Sequence, residues 1–317
     1  MYMMKYFTIS CFAIAFHTSM VFAQTDLEQL LPDNASGHDK ISAIFKSGHL
    51  INLQTTETIH KRELEFRVDH RFGDIAGQAG GISNFFGLDQ STDIRIGFDY
   101  GISDKFNVGI GRAKGATAAT QLYETNFKYR FLEQTVDNTM PLSIALFGSA
   151  TAVAMKASDD PTAATAYKSF SDRLTYVSSL IIAKKFSDRL SIAVIPTYLH
   201  RNYTIFGDQN DLFALGLGGR LKIAKRMAIV ADYMLPFRNK TKKEYLENML
   251  QQRFYHALGV GLEIETGGHV FHLNFTNATA IQEAQFIPET STSWGKGQYR
   301  WGFSISRRFS FAKAKTP

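Results

Sequence analysis

Glu63-Leu64-Glu65-Phe66-Arg67-Val68-Asp69-His70-Arg71-Phe72 decides the fold. Its even positions are apolar or aromatic except His70, and its odd positions are Glu, Glu, Arg, Asp and Arg. Side chains of a strand point to alternate faces, so the stretch is a strand with one greasy face and one charged face. A helical period would mix the two sets.

The same alternation runs outward along the chain. Ile94, Ile96, Phe98, Tyr100 and Ile102 share one face, with Asp93, Arg95, Gly97, Asp99 and Gly101 on the other. Phe127, Tyr129 and Phe131 oppose Asn126, Lys128 and Arg130, and Phe213, Leu215, Leu217, Leu221 and Ile223 oppose Ala214, Gly216, Gly218, Arg220 and Lys222. Leu258 to Ile264, Phe271 to Phe275 and Tyr299 to Phe309 repeat the pattern. Segments 142–155, 173–186, 190–200 and 227–235 are more uniformly apolar or small, which leaves their inner faces unassigned.

A soluble β-sandwich also alternates, with its charged face outward. Two features favour a transmembrane barrel instead. The strands run to about ten residues, as tilted spanning strands require, and aromatics recur near their ends, as in interfacial girdles. Tyr100, Phe106, Tyr123, Phe131, Phe186, Tyr198, Tyr233, Tyr255, Phe271 and Tyr299 are the girdle candidates. Short turns at 103–105, 187–189, 224–226 and 266–268, with a somewhat longer one at 134–141, alternate with polar connections at 73–91, 113–120, 156–172, 201–212, 236–254 and 278–297. In this class the short turns face the periplasm and the long loops the exterior. The expectation is an all-β, up-and-down antiparallel barrel of 12 strands, or 14 if the N-terminal extension contributes two.

Met1 to Ala23 reads as a signal peptide: Lys5 in the n-region, a mostly apolar run, and Val21-Phe22-Ala23 as cleavage site. Polar residues such as Thr8, Ser10 and His17 interrupt that run, which falls short of the roughly 20 apolar residues of a spanning helix. Cleavage there would remove Cys11, the only cysteine, and lower the net charge from +6 to +5. No disulfide or thiolate site would remain. The chain then divides into 1–23 signal peptide, 24–60 N-terminal extension, periplasmic or plugging the lumen, 61–311 barrel and 312–317 tail. A mean hydropathy of −0.14 with 26 Phe, 13 Tyr, 24 Gly and 7 Pro suits a barrel, half of whose strand positions face lipid. The location expected is the outer membrane of a Gram-negative bacterium.

The polar face predicts a lumen lined by Arg67, Asp69, Arg71, Arg95, Asp99, Lys128, Arg130 and Arg220, with Glu63, Glu65, Asp93, Glu124, Asp232, Glu263, Glu265 and Arg300 on the same face. Such charges either line a water-filled path or pair across strands and fill a narrow barrel. Twelve strands fall between the filled interior of about eight and the aqueous channel of about 16. Two functions stay open: a narrow channel for small hydrophilic solutes, and a non-conducting scaffold that binds a periplasmic or membrane protein partner. His200, Arg201 and Asn202 end one strand, Asn210 and Asp211 begin the next, and Asn277 ends a later one. These form a candidate outer rim, either fixing loop backbones or recognising a ligand.

Enzyme signatures such as G-x-S-x-G, H-E-x-x-H and C-x-x-C do not occur. Gly109-x-Gly111 and Gly216-x-Gly218 lie within strands. The expectation is no catalytic residue, no cofactor and no metal. Acidic and basic residues are interspersed, so nucleic acid is not an expected partner, whereas outer-membrane lipid is.

Several short stretches together carry a resemblance. They are Ile51-Asn52-Leu53, His70-Arg71-Phe72-Gly73, Phe86-Gly87-Leu88-Asp89, Tyr100-Gly101-Ile102-Ser103-Asp104, Gly109-Ile110-Gly111-Arg112 and Lys128-Tyr129-Arg130. Pro196-Thr197-Tyr198-Leu199-His200-Arg201-Asn202, Gly216-Leu217-Gly218-Gly219-Arg220 and Thr276-Asn277 complete the set. With these the chain resembles a family of uncharacterised outer-membrane β-barrel proteins found in Bacteroidetes. The resemblance implies the barrel and its location, and it brings no activity.

Overall fold

Twelve antiparallel strands close into one barrel in the computed structural model, which describes residues 39–41 and 43–311. The signal peptide, residues 24–38 of the extension and the tail 312–317 lie outside the described residues. The strands are β1 (Glu63–Asp74), β2 (Ser91–Ser103), β3 (Phe106–Ala113), β4 (Leu122–Leu132), β5 (Ser143–Val153) and β6 (Leu174–Lys185). They continue with β7 (Leu190–Arg201), β8 (Asp211–Ala224), β9 (Met227–Phe237), β10 (Ala257–Thr266), β11 (His269–Thr276) and β12 (Arg300–Ser310). Each pairs with its sequence neighbours, and β1 pairs with β12 from Glu63↔Ser310 to Asp74↔Arg300, which closes the ring and leaves no free edge.

The register puts the greasy face of every strand outside. Ile96, Phe98, Tyr100 and Ile102 on β2, with Tyr123, Phe127, Tyr129 and Phe131 on β4, are exposed on the outer wall, while Asp93, Arg95 and Asp99 are buried within. At the short-turn end Phe106, Tyr129 and Phe131 contact one another through ring centroids 6.2 and 6.3 Å apart. At the long-loop end Tyr198 and Phe213 lie 5.1 Å apart. These are the two interfacial levels where amphipathic rings belong.

The four apolar segments whose inner faces the sequence left unassigned have a physical account. On β5–β9 both faces are covered. Lipid meets one face, and the other buries Phe147, Val177, Ile181, Ile195, Leu199, Leu212, Val230 and Met234 in one hydrophobic cluster. The partners in that cluster are not strands. Ile44, Phe45, Leu50, Ile51 and Leu53 come from the N-terminal extension, and Phe286 and Ile287 from the connection between β11 and β12.

The second of these contradicts the reading of 278–297 as an exterior loop. Helix α1 (Lys240–Met249) lies in the connection between β9 and β10, whereas the first half of 278–297 turns into the barrel, where α2 (Glu283–Glu289) is buried from Glu283 to Pro288. Ala278, Ala280, Phe286 and Ile287 are too apolar to stay in water, and burying them against β5–β9 supplies the hydrophobic gain an exposed loop forgoes.

Candidate functional site: the occupied lumen

The extension enters and leaves at the short-turn end. The Ile41 amide donates to the Gln134 carbonyl at 2.9 Å in the β4–β5 turn, and Thr58 Oγ1 donates to the Asp104 carbonyl at 2.7 Å in the β2–β3 turn. Between these points the chain forms a hairpin inside the barrel. His49 pairs with Gln54, the Leu50 amide donates to the Leu53 carbonyl at 2.8 Å, and the Thr55 amide to the Gly48 carbonyl at 2.9 Å.

The hairpin tip is held by one carboxylate. Asp232 on β9 accepts the backbone N–H groups of Ile51, Asn52 and Leu53 at 2.9, 2.6 and 3.0 Å, all on Oδ2. Its Oδ1 accepts Asn52 Nδ2 at 2.7 Å. Three successive amides converging on an oxygen make an anion nest, here filled by the wall's own carboxylate. The side-chain oxygen of Asn52 then accepts Arg71 Nη2 at 2.6 Å. Arg71 also donates to the carbonyls of Ala278, at 3.1 Å, and Ala280. Arg71 therefore ties the hairpin to the inward loop. Gln54 Nε2 adds a direct bond to Glu283 on α2 at 2.8 Å.

Lower in the barrel, Glu57 Oε1 accepts the amides of Ile44 and Phe45 at 3.0 and 3.2 Å, joining the two arms of the hairpin. Lys128 Nζ donates to the Gly48 carbonyl at 2.8 Å, and Arg67 Nη1 to Ser47 Oγ at 3.2 Å. Glycines admit this close approach. A Cβ on Gly216 would come within 2.9 Å of Leu53 Cδ1, one on Gly259 within 2.7 Å of Ile51 Cγ2, and one on Gly218 would overlap Leu50. Beside the hairpin two cavities of about 10 and 20 Å³ remain, room for roughly one water each.

The eight residues read as lumen-lining all lie on the inner face, and seven are buried. Arg67 bonds Asp69 at 2.8 Å, and Arg95 bonds Glu124 at 2.8 Å and approaches Asp69 at 3.8 Å. Arg220 holds Glu263 at 2.7 Å and Glu265 at 3.2 Å. Asp99 lines the smaller cavity with Lys128. Arg130, half-buried at the short-turn end, lies 3.5 Å from Glu57 and 3.3 Å from Glu133. Most inward charges pair across strands or bind the hairpin. The residue that bonds it from the loop side, Glu283, carries no periodic signal because it lies outside the strands, on the connection between β11 and β12.

The six rim residues do not form one site. His200 Nδ1 and Asp211 bond at 2.8 Å on the outer surface, where Tyr198 also donates to Asp211. Arg201 points inward, bonding Asp208 at 2.7 Å and Glu289 at 3.4 Å. Asn202 Nδ2 donates to the Ser171 carbonyl at 2.8 Å and Asn210 Nδ2 to the Arg201 carbonyl at 2.6 Å. Asn277, buried at the end of β11, donates to the carbonyls of His256 and Thr292 at 2.9 and 2.8 Å and accepts the Leu258 amide at 2.8 Å.

Two titratable groups on the inserted segments couple seating of the hairpin to pH. His49 lines both small cavities, and burial, followed by Arg67 and Lys128, pushes its pKa well below 6.5. It is neutral when seated, so the released hairpin binds more protons below about 6.5. Its contribution is present above that pH and is lost as pH falls. Glu283 is pushed up to about 7 by burial and then by Glu124. Its contribution is full below its ordinary 4.5 and is lost as pH rises through about 7. Protease protection of residues 47–57 between pH 5 and 8 checks this. The acid loosening should shrink in His49→Gln and the loosening near neutrality in Glu283→Gln. Wild-type profiles in both variants would remove these groups from the account.

Among solved structures the chain is similar to the KdgM porin, at 10% identity and a TM-score of 0.44 over 79% of this chain and 99% of that one. The NanC porin matches at 7% identity and a TM-score of 0.45, over 78% and 100%. An outer membrane channel (COG4313) from Pseudomonas putida F1 matches at 11% and 0.46, over 80% and 98%. No curated protein sequence matches the chain. A family model described as a membrane-bound β-barrel domain (DUF5777) matches residues 45–309, a span that takes in the hairpin, the inward loop and all but the last residue of the closed barrel. The chain belongs to this family of membrane-bound β-barrel domains.

Proposed function

We propose that the protein is an outer-membrane channel for small hydrophilic solutes, and that the structure is its closed state. The observation that carries this is the seam between hairpin and wall. On the side of Arg67, Arg71, Lys128 and Asp232 it consists of hydrogen bonds to charged groups, so withdrawal of the hairpin would leave a hydrophilic surface that water can line. With the hairpin seated, cavities of about 10 and 20 Å³ admit no solute larger than water.

The apolar cluster against β5–β9 favours a second reading. A hairpin that buries Phe45, Leu50 and Leu53 is costly to remove, which suits a permanently filled barrel that displays its N-terminal segment to a protein partner. Planar-bilayer recording of the wild type and of Asp232→Ala separates the two. The channel reading expects few openings in the wild type and sustained, salt-dependent current in the variant. A variant whose hairpin is released, as shown by proteolysis, yet whose current equals that of bare lipid would leave the scaffold reading.

A further inference from the structure

The wall holds the hairpin by main-chain groups that every peptide has. Asp232 on β9 accepts three consecutive backbone N–H groups at 2.9, 2.6 and 3.0 Å. Lys128 on β4 donates to the carbonyls of Gly48 and Glu57 at 2.8 and 3.4 Å. Ser191 Oγ on β7 donates to the Ile44 carbonyl at 2.7 Å. Between Ser47 and Leu53 the only side chains the wall bonds are those of Ser47 and Asn52. Among the described residues, the hydrogen bonds of the Asp232 carboxylate and the Lys128 ammonium run to the hairpin alone. Withdrawal strips both groups of them, and the N–H and C=O groups of another peptide would restore them.

The apolar side chains are received without a shaped pocket. Leu50, Ile51 and Leu53 lie over Gly218, Gly259 and Gly216, beside Ile195, Val230 and Met234 of the same hydrophobic cluster. Apolar contact is non-directional, so other aliphatic side chains suit this surface. A sugar could satisfy Asp232 and Lys128 but would leave the apolar wall uncovered. A peptide covers both, with main-chain bonds giving affinity and side-chain contacts giving preference.

We propose that this seat is a binding site for short peptides with aliphatic side chains, and that the hairpin is its built-in occupant. Asp232 takes the N–H groups at the turn of the bound peptide, Lys128 a carbonyl lower in the barrel, and the glycine-lined wall its aliphatic side chains. The proposal rests on withdrawal of the hairpin, as in the channel reading, and narrows the solutes of that reading to peptides.

Equilibrium dialysis tests it with the full-length variant Leu50→Ala/Leu53→Ala in micelles, whose wall is complete and whose hairpin has lost its apolar hold. The probes are two end-blocked octapeptides, one with the sequence of residues 48–55 and one unrelated, Gly-Thr-Val-Asn-Gly-Val-Thr-Ser. The controls are each peptide N-methylated at the three positions that face Asp232, a maltooligosaccharide of similar mass, and protein-free micelles. Saturable binding of one octapeptide per barrel is expected for both sequences, at least tenfold tighter than for the N-methylated forms and the sugar. The wild type, with its seat filled, should bind at least tenfold more weakly than the variant. Adding Asp232→Ala should weaken binding at least tenfold while the barrel keeps its heat-resistant gel mobility. If that triple variant does not fold, the N-methylated peptides decide. Binding of neither octapeptide above the blank, equal binding of the N-methylated forms or the sugar, or equal binding by the wild type would overturn the proposal. Passage through proteoliposomes reads the channel separately. Peptide binding without passage would keep the site and remove the channel, and passage of the sugar without peptide binding would do the reverse.

Discussion

Replacing Asp232 by Ala is expected to release the lumenal hairpin while the barrel stays closed. The carboxylate accepts four hydrogen bonds, three from the consecutive amides of Ile51, Asn52 and Leu53 and one from the Asn52 side chain. Without it those donors remain buried with no acceptor. Bonds to a charged group contribute about 1.5–3 kcal/mol and an unmet buried donor costs about 1–3 kcal/mol, so a loss of roughly 3 kcal/mol or more follows. That corresponds to about a hundredfold more frequent opening of the hairpin. Hydrogen exchange at amides 51–53 reads the change directly. The β9 ladder is untouched, because Asp232 pairs by its backbone with Gly218 and Gly259, so strand amides should keep wild-type protection. Unchanged exchange at 51–53 would show that apolar packing alone seats the hairpin.

The apolar half of the seat gives the other large effect. Leu50 and Leu53 are each 1% exposed and lie over Gly218 and Gly216 of β8. Leu→Ala at buried positions costs about 2–5 kcal/mol, more where the surroundings cannot collapse into the space. Here they cannot, because the wall behind the side chains is a hydrogen-bonded ring whose strands are fixed on both sides. The two sites are neighbours and their costs do not simply add, but the double variant Leu50→Ala/Leu53→Ala should lose roughly 4 kcal/mol or more of seating. Limited proteolysis within 47–57 should accelerate at least a hundredfold, with the heat-resistant mobility of the barrel retained. A hairpin cleaved no faster than in the wild type would mean that the polar seam holds it unaided.

The barrel was legible because its signal is local. Glu65, Arg67, Asp69 and Arg71 alternate with Phe66, Val68 and Phe72, and a strand of period two placed between lipid and a polar interior has no other arrangement for them. Turn lengths then set strand number and direction, with β1 beginning at Glu63, two residues later than the sequence boundary at Lys61 suggests. The inner faces of β5, β6, β7 and β9 were not legible for the same reason that the others were. Ala193, Ile195 and Leu199 alternate with Ile192, Val194 and Tyr198, apolar against mostly apolar, so no contrast marks the face that meets the inserted segments.

The contents of the lumen lay further from sequence reasoning. Asp232 read as one inward charge among many, and Asn52 only as the middle of the short stretch Ile51-Asn52-Leu53. Their pairing joins positions 180 residues apart and depends on a turn whose amides converge only once Leu50 and Leu53 pack on the wall. The inward loop misled because connection length predicts which membrane face a loop leaves from, whereas the buried side chains of Phe286 and Ile287 decide where it goes. By itself the sequence determined the barrel: alternation along each strand, aromatic ends and turn lengths are properties of neighbouring residues under a fixed period. Only the tertiary structure decided that the barrel is filled and by what. That outcome rests on hydrogen bonds and apolar contacts between residues distant in the chain, which form after the closed wall has brought them within reach.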